Sequence, residues 1–99
     1  IGRCADYTLR DSDRTLNVFL VATPEERIKR ICEIENCTIE KARSIIADAD
    51  KKRSSYYNYY TNKKWGDSSS YDICLSTSTL GYEKCAEIII SLAKERFNL

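Results

Sequence analysis

The sequence has no histidine and no methionine, and its 99 residues include only three glycines and one proline. Without histidine the commonest general base and metal ligand is missing. Neither a Ser-His-Asp nor a Cys-His arrangement for nucleophilic catalysis can be built within the chain. Charge of neither sign dominates, since 16 Lys and Arg stand against 15 Asp and Glu, a net charge of +1. A general affinity for nucleic acid or an anionic membrane is therefore not expected. No apolar run approaches the roughly 20 residues of a membrane span, and no signal-peptide pattern opens the chain. The five cysteines, Cys4, Cys32, Cys37, Cys74 and Cys85, form an odd set without C-x-x-C spacing. That set indicates neither a disulfide framework nor a zinc site, and reduced thiols in a cytoplasmic protein are the expectation. The absent methionine and the start at Ile1 add the expectation of a fragment of a longer protein.

What the chain does have is concentrated in one place. Residues 50–72, DKKRSSYYNYYTNKKWGDSSSYD, hold the bases Lys51, Lys52, Arg53, Lys63 and Lys64 and the aromatics Tyr56, Tyr57, Tyr59, Tyr60, Trp65 and Tyr71. Three readings fit such a segment. A charge run is ordinarily a solvated helix face, with tyrosines packing on a neighbour. Stacking rings with positive charge also suit single-stranded nucleic acid, but that reading wants a more basic chain. A mobile lid that brings cations onto transferring phosphates is the third.

Around this segment the patterning alternates between strand and helix. Gly2 suits the point where a strand gives way to a turn, and Ala5 and Leu9 are spaced for a short helix. The run NVFLVA, residues 17–22, is rich in β-formers and reads as a strand buried on both faces, as in a parallel sheet. TPEE follows, with Thr23 as N-cap, Pro24 at the first helical position and Glu26 completing a capping box. That helix is expected over 24 to about 35, with Ile28, Ile31 and Cys32 on one face. Thr38 caps a second helix whose stripe is Ile39, Ala42, Ile45, Ile46 and Ala49. It should continue past Arg53 toward Tyr60, with Tyr57 and Tyr60 packed in the core. WGDSSS reads as turn and loop, and YDICLSTS, residues 71–78, as a second strand. The closing helix, about 82–97, has Cys85, Ile88, Ile89, Leu92 and Ala93 on its inner face. The expected fold is α/β, a single domain over 1–99 with a short parallel sheet of two strands plus a strand stub and flanking helices. So small a sheet cannot cover the helices, which again suggests a fragment.

Together, GRCADYTLRD, NVFLVATPEERIKRI, DKKRSSYYNYYTNKKWGD and YDICLSTSTLGYEKCAEIII resemble the cytidylate kinase-like family of nucleoside monophosphate kinases, with motifs in matching order across essentially the whole chain. The resemblance implies a partial P-loop NTPase-type three-layer fold and a lid at about residues 50–70. It implies phosphoryl transfer from ATP, with Mg2+, to CMP, dCMP or a similar nucleotide. Arg3 then falls where the family's arginine faces the acceptor phosphate. Lys51 and Arg53 fall on phosphate-clamping lid positions, with Asp50, Lys52 and Tyr56 as lid support. Ser76, Thr77 and Ser78 match the loop near the ATP base.

Two departures qualify this. Cys4 stands where the family places an aspartate that meets the pentose. The family's G-x-x-x-x-G-K-[ST] phosphate loop is absent, because none of Gly2, Gly66 and Gly81 has the required partners. The chain thus looks like the carboxyl-terminal half of such a kinase. By itself it is expected to be inactive, to bind no ATP or Mg2+, and to self-associate or domain-swap through an open sheet edge. A non-catalytic nucleotide-sensing or interaction module is the alternative function.

Overall fold

A computed structural model of the chain describes residues 4–99. The elements run α1 (Ala5–Thr8), β1 (Val18–Val21), α2 (Pro24–Glu35), α3 (Ile39–Thr61), β2 (Ile73–Ser76), α4 (Thr77–Leu80) and α5 (Tyr82–Phe97), with a 3-10 turn at Ser68–Ser70. The expected strand stub at the amino end lies outside the described residues. No helix among the described residues is long and apolar enough to cross a membrane. The chain divides into two compact units, Ile1–Val21 with Gly66–Leu99, and Ala22–Trp65.

In the first unit β1 and β2 pair in parallel, Val18 opposite Ile73 and Val21 opposite Ser76. The α/β expectation thus holds as a two-stranded parallel sheet accompanied by helices. The pairing is primed just before the strands. Asn17 N–H donates to Asp72 Oδ2 at 2.7 Å, and Asp72 N–H donates to the Asn17 carbonyl at 2.8 Å. Phe19 and Tyr71 stack at 4.7 Å between ring centroids. Burial there pushes the Tyr71 hydroxyl above its ordinary pKa, with Asp6 adding to the shift. Arg96, in the last turn of α5, donates to the carbonyls of Thr15 and Asp13 at 3.3 Å each. It thereby ties the loop before β1 to the carboxyl end of that helix.

Several expectations are corrected here. Both strands are shorter than 17–22 and 71–78. β1 is not buried on both faces, since Leu20 is 51% and Val21 44% exposed. Two strands give each other only one neighbour, so neither acquires the cover of a central strand. Part of WGDSSS is a 3-10 turn rather than loop, because Asp67 Oδ1 accepts from Ser69 N–H at 3.0 Å. The Ser-Thr run after β2 turns helical because Ser76 Oγ accepts from Thr79 N–H at 3.2 Å, a local alternative to the strand ladder. Gly81 separates α4 from α5 at φ 82° and ψ 159°, a region essentially reserved for glycine.

The second unit is the α2–α3 pair. Thr23 caps α2 through Glu26 N–H, and Thr38 caps α3 through Lys41 N–H. The expected helix start and end, 24 and 35, match. Removing the α3 cap with Thr38→Ala should cost about 1 kcal/mol, read as a lower urea midpoint with an unchanged slope. Ala42, Tyr57 and Thr61 are the buried residues of α3. Ile39, expected on the apolar stripe, is instead exposed, as is Tyr60. Each stands one turn from a buried side chain, Ile39 from Ala42 and Tyr60 from Tyr57, near an end of α3 and at the margin of its buried face.

Candidate functional site

The basic segment is helical as far as Thr61, as expected past Arg53 toward Tyr60, while Lys63, Lys64 and Trp65 follow the helix, and the helical register sorts the side chains before them. Asp50, Tyr57 and Thr61 are spaced by seven and four, so they share one face. Lys52, Tyr56 and Tyr60 are spaced by four and share another. The first face is the inner one, with Tyr57 at 5% and Thr61 at 3% exposure. On the second, Tyr60 stacks on Tyr56 at 4.6 Å and meets Tyr59 edge-on at 4.9 Å. Lys51, Lys52 and Arg53 are all exposed.

Asp50 has a partner that sequence reasoning missed. Arg27, in the first half of α2, donates Nη1 to Asp50 Oδ2 at 2.8 Å and Nη2 to Oδ1 at 2.7 Å. Two parallel bonds of this kind fix the guanidinium and carboxylate in one plane. The hydrogen bonds from Arg27 hold the Asp50 carboxyl below its usual range against the opposing effect of burial, with the charges of Arg27 and Arg53 adding to the depression. The Arg27 guanidinium is raised correspondingly, first by the same hydrogen bonds. The pair sets the rotation of α3 at the point where its three bases begin. No local pattern announces it, because the partners are 23 residues apart.

The sign of the pH effect follows. Asp50 titrates lower folded than unfolded, so its stabilisation is complete above the unfolded carboxylate pKa of about 3.9 and fades as pH falls through the lower folded value. Both side chains are about one-third exposed, so screening keeps the pair to about 1 kcal/mol or less. Asp50→Asn should therefore lower the midpoint of thermal unfolding by a few degrees at neutral pH. The gap between variant and wild type should close below about pH 4.

The carboxyl end of α3 is closed by polar side chains. Thr61 Oγ1 donates to the Tyr57 carbonyl at 2.6 Å and accepts from Lys63 N–H at 3.1 Å. Asn62 takes the left-handed conformation at φ 56°, and Trp65 N–H donates to Asn58 Oδ1 at 2.8 Å. The chain that leaves α3 is thus folded back against its last turn.

The other expected site residues lie in the first unit. Ser76, Thr77 and Ser78 do not form a loop: Ser76 ends β2, and Thr77 and Ser78 open α4. Thr77 Oγ1 donates to the Val21 carbonyl at 3.2 Å, joining the carboxyl ends of the two strands. Ser76 Oγ caps α4, and its carbonyl accepts from the Cys85 thiol at 3.8 Å. The Ser76 and Thr77 side chains are therefore engaged in holding the end of the sheet. This is the end of a parallel sheet where ligands bind in α/β proteins. Arg3 lies outside the described residues, and Cys4 precedes α1 in a left-handed conformation at φ 63°. Among the described residues no group of three or more His, Cys, Asp or Glu could hold a metal ion.

An α/β chain with a parallel strand pair and a cationic helix held by a part-exposed, two-bond ion pair is the class these observations define. The sequence model of the cytidylate kinase-like family matches residues 1–79. The chain belongs to the cytidylate kinase-like family. Among solved structures, an uncharacterized protein from Eubacterium ventriosum superposes with a TM-score of 0.91 at 31% sequence identity over 95% of this chain. The chain spans 52% of that protein's length. No curated protein matches.

Proposed function

We propose that this chain is the acceptor-and-lid half of a P-loop nucleoside monophosphate kinase that moves a phosphoryl group from ATP to CMP, dCMP or a similar nucleotide. One observation carries the reading. Three consecutive exposed bases, Lys51, Lys52 and Arg53, follow an aspartate that Arg27 holds in a two-bond clamp. Phosphoryl transfer asks a protein for positioning and charge neutralisation more than for covalent chemistry. Cations carried on a positioned helix supply both. Lys51 and Arg53 are assigned to the transferring phosphates, Lys52 and Tyr56 to support, and Arg3 to the acceptor phosphate.

The residues of this chain do not fit a complete site for ATP and Mg2+. The sequence has no G-x-x-x-x-G-K-[ST] segment to cradle the phosphates and offer the metal a hydroxyl. The nucleotide-triphosphate side of the reaction is accordingly assigned to a longer protein that carries this sequence. A coupled ADP-release assay on such a protein, with ATP, magnesium and each nucleoside monophosphate in turn, tests the reading. Turnover with a pyrimidine monophosphate supports it, and a folded protein that turns over no acceptor refutes it.

The departure at Cys4 favours a second reading, a nucleotide-sensing module without catalysis. A thiol cannot accept two sugar hydroxyls as a carboxylate can. Saturable nucleotide binding without turnover in the same protein would select that reading.

A further inference from the structure

Helix α2 ends in a way that brings two cysteines together. Asn36 takes the left-handed conformation at φ 50° and ψ 53°, and its N–H donates to the Cys32 carbonyl. Cys37 N–H donates to the same carbonyl at 3.3 Å. This six-residue closure is a known helix stop, and its first and last side chains commonly pack on each other. Here both are cysteines. The thiols are near enough for Cys32 to raise the Cys37 pKa, and both residues are partly exposed. A disulfide needs Cα atoms about 4.4–6.8 Å apart, a range in keeping with a direct backbone hydrogen bond between the two residues.

We propose that Cys32 and Cys37 form a reversible disulfide site, closed by glutathione disulfide or a similar disulfide oxidant and reopened by thiols. In the first step one cysteine thiolate attacks glutathione disulfide, forming a mixed disulfide and releasing one glutathione thiolate. The second cysteine thiolate then attacks the protein sulfur of that mixed disulfide and releases the second glutathione. The two thiols lose two protons and two electrons, and one glutathione disulfide becomes two glutathiones. Burial and the neighbouring Cys32 hold the Cys37 thiol above its usual pKa, with Glu35 adding and Lys41 opposing. A raised pKa leaves less thiolate at neutral pH, so exchange at this pair quickens as pH rises. The bond would lock the turn between α2 and α3, whose helices carry the Arg27–Asp50 clamp. The other cysteines provide controls: Cys74 is exposed and Cys85 buried.

The test uses the 99-residue chain, incubated with a glutathione disulfide and glutathione mixture at mildly alkaline pH, quenched with acid and alkylated. Trypsin, cutting after Arg30 and Lys41, releases residues 31–41 with both thiols in one peptide and no other cysteine. The expected product is that peptide unalkylated and two hydrogen atoms lighter, restored by dithiothreitol. Because the native turn holds the thiols together, it should form at least about tenfold faster than in urea-unfolded chain. Cys37→Ser should stop the reaction at a glutathione adduct on Cys32. Wild-type chain that accumulates glutathione on Cys32 without closing the link would overturn the proposal. So would a native rate no higher than the unfolded rate, a comparison that needs no variant to fold.

Discussion

Tyr57→Ala should destabilise the chain by about 3 kcal/mol or more, the range for truncating a large buried aromatic side chain. Among the described residues of its unit, Tyr57 is the one large aromatic at 5% exposure, and Ala42 is the one other apolar residue as well covered. In so thin a core a single ring carries a large share of the packing. The Tyr57 carbonyl also receives the Thr61 hydroxyl at 2.6 Å, so loosening this turn of α3 threatens a buried polar group as well. Total stability for a domain of this size is about 5–15 kcal/mol, so the loss should appear as a much lower urea midpoint or as outright unfolding by circular dichroism. Tyr57→Phe, which keeps the ring, should cost far less. Tyr60→Ala supplies the control: its ring is 60% exposed, and truncating it should stay within about 0.5 kcal/mol. Equal effects at positions 57 and 60 would contradict the register described for α3.

That contrast also shows where sequence reasoning reaches its limit. Tyr57 and Tyr60 belong to one YYNYY run, and composition gives no reason to separate them. The structure does so: the phase of a helix continuous from Ile39 to Thr61 places Tyr57 with Asp50 and Thr61, and Tyr60, on the flank of that face, is left 60% exposed. The stop of α3 was equally hard to read, because no glycine or proline marks it. It is set by Asn62 in a left-handed conformation and by side-chain bonds from Thr61 and Asn58. The ends of α2 were legible because Thr23 and Pro24 are strong start signals. The run of Ser and Thr after β2 was ambiguous, because threonine favours strands while serine caps helices. The capping bond of Ser76 decided it.

The site divides the same way. Asp50 and the bases after it stood out as a linear motif, whereas Arg27 did not, because an ion pair between two helices leaves no local spacing. The only local hint was its place four residues beyond the Thr23 cap, inside the resembling segment VATPEERIKRI. Parallel pairing of the two strands was legible because two helices lie between them in sequence, a connection that antiparallel neighbours do not require.

The largest expected effect belongs to the cations proposed for the lid. In a longer protein that carries this sequence and turns over a nucleoside monophosphate, Lys51→Ala and Arg53→Ala should each lower kcat by about 10²–10³-fold, the range for removing one donor aimed at developing charge. Neither base has an ion pair among the described residues, and both are exposed. Their removal should therefore leave the urea midpoint within about 0.5 kcal/mol of wild type. Asp50→Asn is the informative comparison. It acts through the orientation of α3, so its loss of kcat should be smaller and should accompany the small loss of stability described above. A structural contribution alone would make the three variants alike, with activity tracking stability. A phosphate clamp would separate them, with Lys51 and Arg53 losing turnover at unchanged stability. Lysine substituted at Arg53 would keep the charge but lose the planar fork, so Arg53→Lys should recover only part of the rate. Full activity in both alanine variants would remove the lid assignment and leave the cationic face of α3 without a role in phosphoryl transfer.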